Sequence, residues 1–243
     1  MLFSSFRTYD IIKHIILIKI LGINLNTGGI TVGLEFMGIF DEWADSYDDT
    51  VSGLDIQYKD VFENYSMILK RVVKHSSGTV LEFGVGTGNL SNELMQAELE
   101  VIGIEPSKAM RELAKEKLPN LTLLDGDFLS FPIPSQPIHT IVSTFAFHHL
   151  TDHEKNVAIK KYYELLEPRG KIVFGDTMFE SLEAHQMMIE KAKGKGYDDL
   201  AEDLDREYYP TIPTMQEIFE QNNFNVSFEQ MNDFAWLLVA EKM

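Results

Sequence analysis

Three glycines on alternate positions, Gly84, Gly86 and Gly88, lie in the run Val80-Leu81-Glu82-Phe83-Gly84-Val85-Gly86-Thr87-Gly88-Asn89-Leu90. Without a Cβ, each lets a backbone turn approach a ligand that any side chain would hold off. The run enters from an aliphatic strand and leaves into helix-compatible sequence, the frame of a nucleotide-type site. Its spacing narrows the ligand. A dinucleotide turn, G-x-G-x-x-G, needs glycine at position 89, where Asn89 stands. Glu82, two residues before the first glycine, would also repel a pyrophosphate. Glu105 closes the hydrophobic run Val101-Ile102-Gly103-Ile104 and offers two acceptor oxygens to the adjacent hydroxyls of a ribose. Asp127 follows the next hydrophobic run. His148 and His149 follow the fourth, where one imidazole could act as a general base at its ordinary pKa or both could simply shape a turn. Asp176, after the fifth run, is a further candidate at the same mouth.

These residues need a frame that brings strand ends together, and the chain alternates as such a frame should. Strands are predicted at about 79–83, 99–104, 121–124, 138–143 and 171–175, with helices at about 88–97, 107–118 and 151–167. Thr151 and Glu154 are spaced as a capping box. This order predicts a doubly wound parallel sheet with helices on both faces. A long helix is expected over about 55–75. Before it, an amphipathic helix over 40–48 carries Trp43 and Tyr47 four residues apart. Residues 177–209 read as a polar helical insert broken at Gly194-Lys195-Gly196, either a substrate lid or a plain surface pair. Thr214 and Glu217 are expected to cap one more helix. Two final strands, 225–230 and 235–241, joined by the short 231–234 link, imply an antiparallel hairpin.

The chain of 243 residues suits one such domain with an insert. Its 44% hydrophobic content supplies a full core. With no cysteine there is no disulfide, no thiolate metal site and no cysteine nucleophile, which fits a reducing cytoplasm. No metal centre is predicted. A net charge of −17 disfavours nucleic-acid partners, whose phosphates demand lysine and arginine. The isoleucine-rich stretch 11–21 is too short and too charged to span a bilayer, which takes about 20 apolar residues. No membrane association of the folded unit is expected.

Acid-x-Gly-x-Gly-x-Gly, from Glu82 to Gly88, resembles motif I of class I S-adenosylmethionine (SAM)-dependent methyltransferases. From about Val32 onward the chain resembles the YrrT family within that class. The landmarks are Phe40-Asp41-x-Trp43-Ala44-x-x-Tyr47-Asp48, Ile102-Gly103-Ile104-Glu105-Pro106-Ser107, Asp125-Gly126-Asp127-Phe128, Ser143-Thr144-Phe145-Ala146-Phe147-His148-His149-Leu150 and Tyr208-Tyr209-x-Thr211-Ile212-Pro213. The resemblance implies a mostly parallel, Rossmann-like seven-stranded sheet. It implies SAM as cofactor, with Gly84 at the methionine moiety, Glu105 at the ribose and Asp127 beside the adenine. Glu82, Gly86 and Gly88 complete the expected cofactor set. Trp43 and Tyr47 either close over the sulfonium or pack in a core. The expected reaction is one methyl transfer to a small-molecule acceptor, with His148 and His149 as candidate catalytic residues. A SAM-binding sensor without turnover would carry the same acids. Family chains start Met-Gly-x-Glu-Phe, and Val32-Gly33-Leu34-Glu35-Phe36 stands in that place. Val32 is therefore expected to be the native start, with 1–31 a non-native or disordered extension.

Overall fold

A computed structural model describes residues 47–243 of the chain. Trp43, the rest of the expected 40–48 helix and the 1–31 segment lie outside the described residues. Two helices come first, α1 (Tyr47–Val51) and α2 (Tyr65–His75). The alternation then runs β1 (Thr79–Phe83), α3 (Asn89–Gln96), β2 (Glu100–Ile104), α4 (Lys108–Lys117), β3 (Thr122–Leu124), β4 (Ile138–Thr144), α5 (Asp152–Leu165) and β5 (Leu166–Thr177). Helices α6 (Leu182–Lys195) and α7 (Asp198–Arg206) form the insert, and α8 (Ile212–Gln221), β6 (Phe224–Gln230) and β7 (Ala235–Lys242) close the chain.

The seven strands lie in the order β3-β2-β1-β4-β5-β7-β6. The first five are parallel, and β7 pairs antiparallel with both β5 and β6. All five residues of β1 are buried, as a central parallel strand covered on both faces requires. Alternate side chains serve two layers. Leu81, Phe83, Ile141, Ile172 and Phe174 pack with Tyr162 and Phe219 on one face. Val80, Val142 and Val173 pack with Leu69, Val72 and Leu94 on the other. From β1 the chain winds outward to β3, then returns to β4 on the other side of β1. That reversal opens a crevice at the carboxyl ends of β1 and β4, where ligands of open α/β sheets bind. The glycine turn and the two histidines emerge there.

Three local expectations change. The helix expected over 55–75 is helical only from Tyr65; residues 56–64 are turns, ended by Asn64 at φ 63°. Asparagine tolerates that left-handed geometry. The turns carry Tyr58 and Val61 into a third cluster with Phe179, Ile189, Leu200 and Leu204 of the insert. Helix α8 is capped by Thr211, whose hydroxyl accepts from the Thr214 amide, with Pro213 in the first turn, so Thr214 sits inside the helix. Strand β5 starts earlier than expected, at Leu166, with Arg169 at φ 64° beside a register shift between Ile138 and Thr140. The Thr151–Glu154 capping box and the 231–234 hairpin link are where the spacing put them. Asn232 Oδ1 closes that link by accepting from the Phe234 and Ala235 amides at 2.8 and 2.6 Å. Among the described residues no helix is long and apolar enough to cross a membrane.

Candidate active site

The turn after β1 uses its glycines for different ends. Gly84, Gly86 and Gly88 all have positive φ, at 67°, 56° and 90°. A Cβ on Gly84 would stand 2.8 Å from the Ala146 Cβ, so this glycine lets the turn lie against the segment after β4. Among the described residues, a Cβ on Gly86 would meet nothing within 4 Å and would project into open space. Gly86 donates its amide to Glu105 Oε2 at 2.9 Å, and Glu105 Oε1 accepts from the Ser107 amide at 2.8 Å. The buried Glu105 carboxylate thus fixes the glycine turn to the end of β2. Asp127 Oδ1 accepts from the Leu129 and Ser130 amides at 2.7 and 2.8 Å, which holds the loop after β3. At the end of β4, the fully buried Ser143 Oγ has no hydrogen-bond partner among the described residues and faces the Gly84 turn. Open space over Gly86 and an orphaned hydroxyl facing Gly84 fit a ligand lying along this turn.

Helix α1 is fastened across the same turn. Asp48 Oδ1 accepts from the Thr87 hydroxyl at 2.6 Å and from Asn89 Nδ2 at 3.1 Å, and Lys117 pairs with its other oxygen. Burial reinforced by Tyr65 raises the Tyr47 phenol well above its ordinary pKa, so Tyr47 stays neutral. Asp48 lies inside a quoted landmark, yet its sequence context gives no hint that it binds the glycine turn.

Glu82 is placed differently from Glu105. It is 1% exposed beneath the turn, and the Ser91 hydroxyl donates to its Oε2 at 2.5 Å. Its described contact is with α3 rather than with the cleft. Burial pushes its carboxyl up to about 8, with Glu105 adding to the rise. At neutral pH it is therefore a neutral acid. The folded chain then holds a proton that the unfolded chain releases near the ordinary glutamate pKa of about 4.3. Stability falls as pH rises between about 4.3 and about 8, and the loss is complete above that window. Glu82→Gln has no proton to lose. Its stability relative to the native chain should rise across the window and level off above pH ~8. Urea unfolding at several pH values checks this; a pH-independent difference would refute it.

The two histidines are joined by residues from distant segments. His148 Nδ1 lies 2.5 Å from Asp176 Oδ1, and Asp176 also accepts from the Phe147, His148 and Thr177 amides. Its Nε2 lies 3.2 Å from Glu207 Oε2, at the end of the insert. Tyr209 donates to that same oxygen at 2.6 Å and stacks on the His148 ring at 4.7 Å. The ring of His149 is 4.2 Å from that of His148. Burial opposes charge on His148, but Asp176 and then Glu207 outweigh it and hold the imidazole up to about 9. Burial and the His148 charge push His149 down to about 3. Burial would raise Glu207, but its contacts to the histidines hold it down to about 2. Neither imidazole keeps the ordinary pKa expected from sequence, because two carboxylates flank one and the charged first ring disfavours a proton on the other.

Phe145, between β4 and the histidines, is at φ 50°, a geometry costing a bulky residue about 1–2 kcal/mol. Its amide is held by the Gly175 carbonyl at 2.9 Å, and its ring packs 5.0 Å from Phe62. A cavity opens on this ring, walled by Tyr47, Tyr58, Leu200 and Phe234, with His148, His149 and Glu207 at its polar end. Glu207 has no periodicity or motif to mark it; only its place one residue before Tyr208-Tyr209 hinted at a role.

A family model described as "Methyltransferase domain" matches residues 80–170. An uncharacterized methyltransferase of Oceanobacillus iheyensis is 58% identical over 212 residues, covering 87% of this chain and 100% of the relative. One of Bacillus cereus (strain ATCC 10987 / NRS 248) is 57% identical over the same length and shares of the two chains. The chain belongs to this methyltransferase family. The fold of the methyltransferase agrees with solved structures of the class. Magnesium protoporphyrin IX methyltransferase from Synechocystis PCC 6803 with bound SAM aligns at TM-score 0.62 and 16% identity, over 90% of this chain and 100% of that one. A DhpI-SAM-HEP complex aligns at TM-score 0.65 and 16% identity, over 89% and 100%. In the methyltransferase, as in the class I fold generally, the glycine turn leaves the first strand at the point where the strand order reverses.

Proposed function

We propose that this methyltransferase, a member of the YrrT family by its sequence landmarks, moves a methyl group from SAM to a small-molecule acceptor. The observation that carries the reading is the open space above Gly86, whose amide is held by Glu105, on a turn that the orphaned Ser143 hydroxyl faces at Gly84 and that α1 straps at Thr87. Gly84, Gly86 and Gly88 hold the methionine end, Glu105 the ribose and Asp127 the adenine side. Tyr47 closes the cleft. Glu82 supports the turn from below as a neutral acid. SAM supplies a methyl already activated on a sulfonium, so the chain's own work is alignment and exclusion of water. Phe145 and the aromatic cavity walls do both. The helices α6 and α7 serve as a lid over the acceptor, and His148 and His149 meet the acceptor's reacting atom at the cavity's polar end. The acidic surface and cysteine-free chain suit a cytoplasmic enzyme acting on a neutral or cationic compound.

The test is direct. Purified protein should bind SAM in calorimetry and release S-adenosylhomocysteine with some member of a panel of small thiols, amines and hydroxyls. Binding without release from any acceptor would favour a sensor. Glu105→Ala should weaken SAM binding by roughly 10–100-fold, since hydrogen bonds to a carboxylate contribute about 1.5–3 kcal/mol each. Unchanged affinity would remove Glu105 from the site.

A further inference from the structure

We propose that His148, His149 and Glu207 form a binding site for one divalent first-row transition ion at the polar end of the cavity. Each offers a donor atom, and the three donors lie within 4.8 Å of one another. His148 Nε2 is 3.2 Å from Glu207 Oε2, and His149 Nδ1 is 3.9 Å from the same oxygen. Ligands held about 2.0–2.2 Å from a tetrahedral ion stand about 3.3–3.6 Å apart, so the three donors would draw inward from a spread within 4.8 Å to take the ion. The outer contacts are those a metal site needs. Asp176 accepts from the far nitrogen of His148, as carboxylates do behind metal-bound imidazoles, and Tyr209 steadies Glu207.

Charge points the same way. Asp176 and Glu207 are two carboxylates whose side chains are 3% and 10% exposed. Arg206 donates to Asp203 at 2.5 Å and stands 3.9 Å from Glu207 Oε1, so it offsets the Glu207 charge only in part. A divalent ion at this end of the cavity is matched in charge by the two carboxylates. The donors are nitrogen and oxygen, which suits zinc, manganese or cobalt rather than a soft monovalent ion.

The consequence for chemistry rests on the reading of the cavity as the acceptor's place. Held by His148, His149 and Glu207, an ion there would supply Lewis-acid chemistry that lowers the pKa of a hydroxyl or thiol reaching it from the cavity. The acceptor's O–H or S–H proton passes to water as its heteroatom takes the methyl, with no change of oxidation state. The favoured acceptor class is therefore a small thiol or alcohol.

Untagged, chelator-stripped protein dialysed against zinc chloride or cobalt chloride, with bound metal counted by mass spectrometry, tests the site. One ion per chain is expected. Glu207→Gln and His149→Gln should each weaken it at least tenfold, while His153→Gln, exposed on α5, should not. In the wild-type chain, zinc should shift the imidazole ¹⁵N signals of His148 and His149, a readout that holds even if a variant fails to fold. Absence of saturable binding, full binding by both ligand variants, or unmoved His148 and His149 signals would overturn the site. Calorimetry with SAM on the same samples separates the two ideas. Zinc binding without SAM binding overturns the functional reading alone, and SAM binding without zinc overturns the metal site alone.

Discussion

Gly86→Leu should reduce SAM affinity by a hundredfold or more while leaving the chain folded. A Cβ at this position meets no atom of the described residues within 4 Å, so the first carbon of the new side chain is not crowded. Two costs remain. Leucine at φ 56° costs about 1–2 kcal/mol, and the new side chain fills the space read here as the cofactor's. Only the second acts on binding. The matched variant Gly84→Leu separates the effects, because its Cβ would stand 2.8 Å from Ala146 and strain the fold itself. We expect Gly84→Leu to lower both the unfolding midpoint and the affinity, and Gly86→Leu to lower the affinity far more than the midpoint. Thermal unfolding paired with SAM calorimetry reads both. Full-strength SAM binding by folded Gly86→Leu would show that the donor lies elsewhere.

Asp176→Ala should cost about 3–5 kcal/mol of stability, the range seen when one partner of a buried charge pair is removed. Asp176 serves three backbone amides and the His148 ring from a position 2% exposed. Its loss leaves the Phe147, His148 and Thr177 N–H groups buried without their acceptor and removes the main stabiliser of the His148 charge. Asp176→Asn keeps one oxygen and the shape, so it should cost less than the alanine. Urea unfolding of the three proteins checks the order. A cost under about 1 kcal/mol for the alanine would mean that water or a shifted side chain replaces the carboxylate.

The fold was legible because its signals are local. Buried parallel strands show as β-branched runs, the Thr151 and Glu154 pair shows as a cap, and three glycines show where backbone must approach a ligand. Positive φ at all three glycines follows from that pattern. The misread helix over 55–75 has a physical cause: its apolar residues recur at helical spacing because they pack in the third cluster from consecutive turns. Thr214 was misread as a cap because Thr211, three residues earlier, took its amide. Glu82 kept the spacing of a cofactor contact, yet its surroundings made it a buried neutral acid.

By itself the sequence determined the class of fold, the glycine turn, the acids Glu105 and Asp127 at successive strand ends, and the histidines after β4. Each is a matter of residue type at short spacing. Tertiary structure alone decided that His148 stands between Asp176 and Glu207, that Asp48 straps α1 to the glycine turn, and that Phe145 is forced to φ 50° at the cavity wall. These contacts join segments tens of residues apart. No periodicity links Glu207 to His148; they meet only because the insert folds back over the carboxyl end of the sheet.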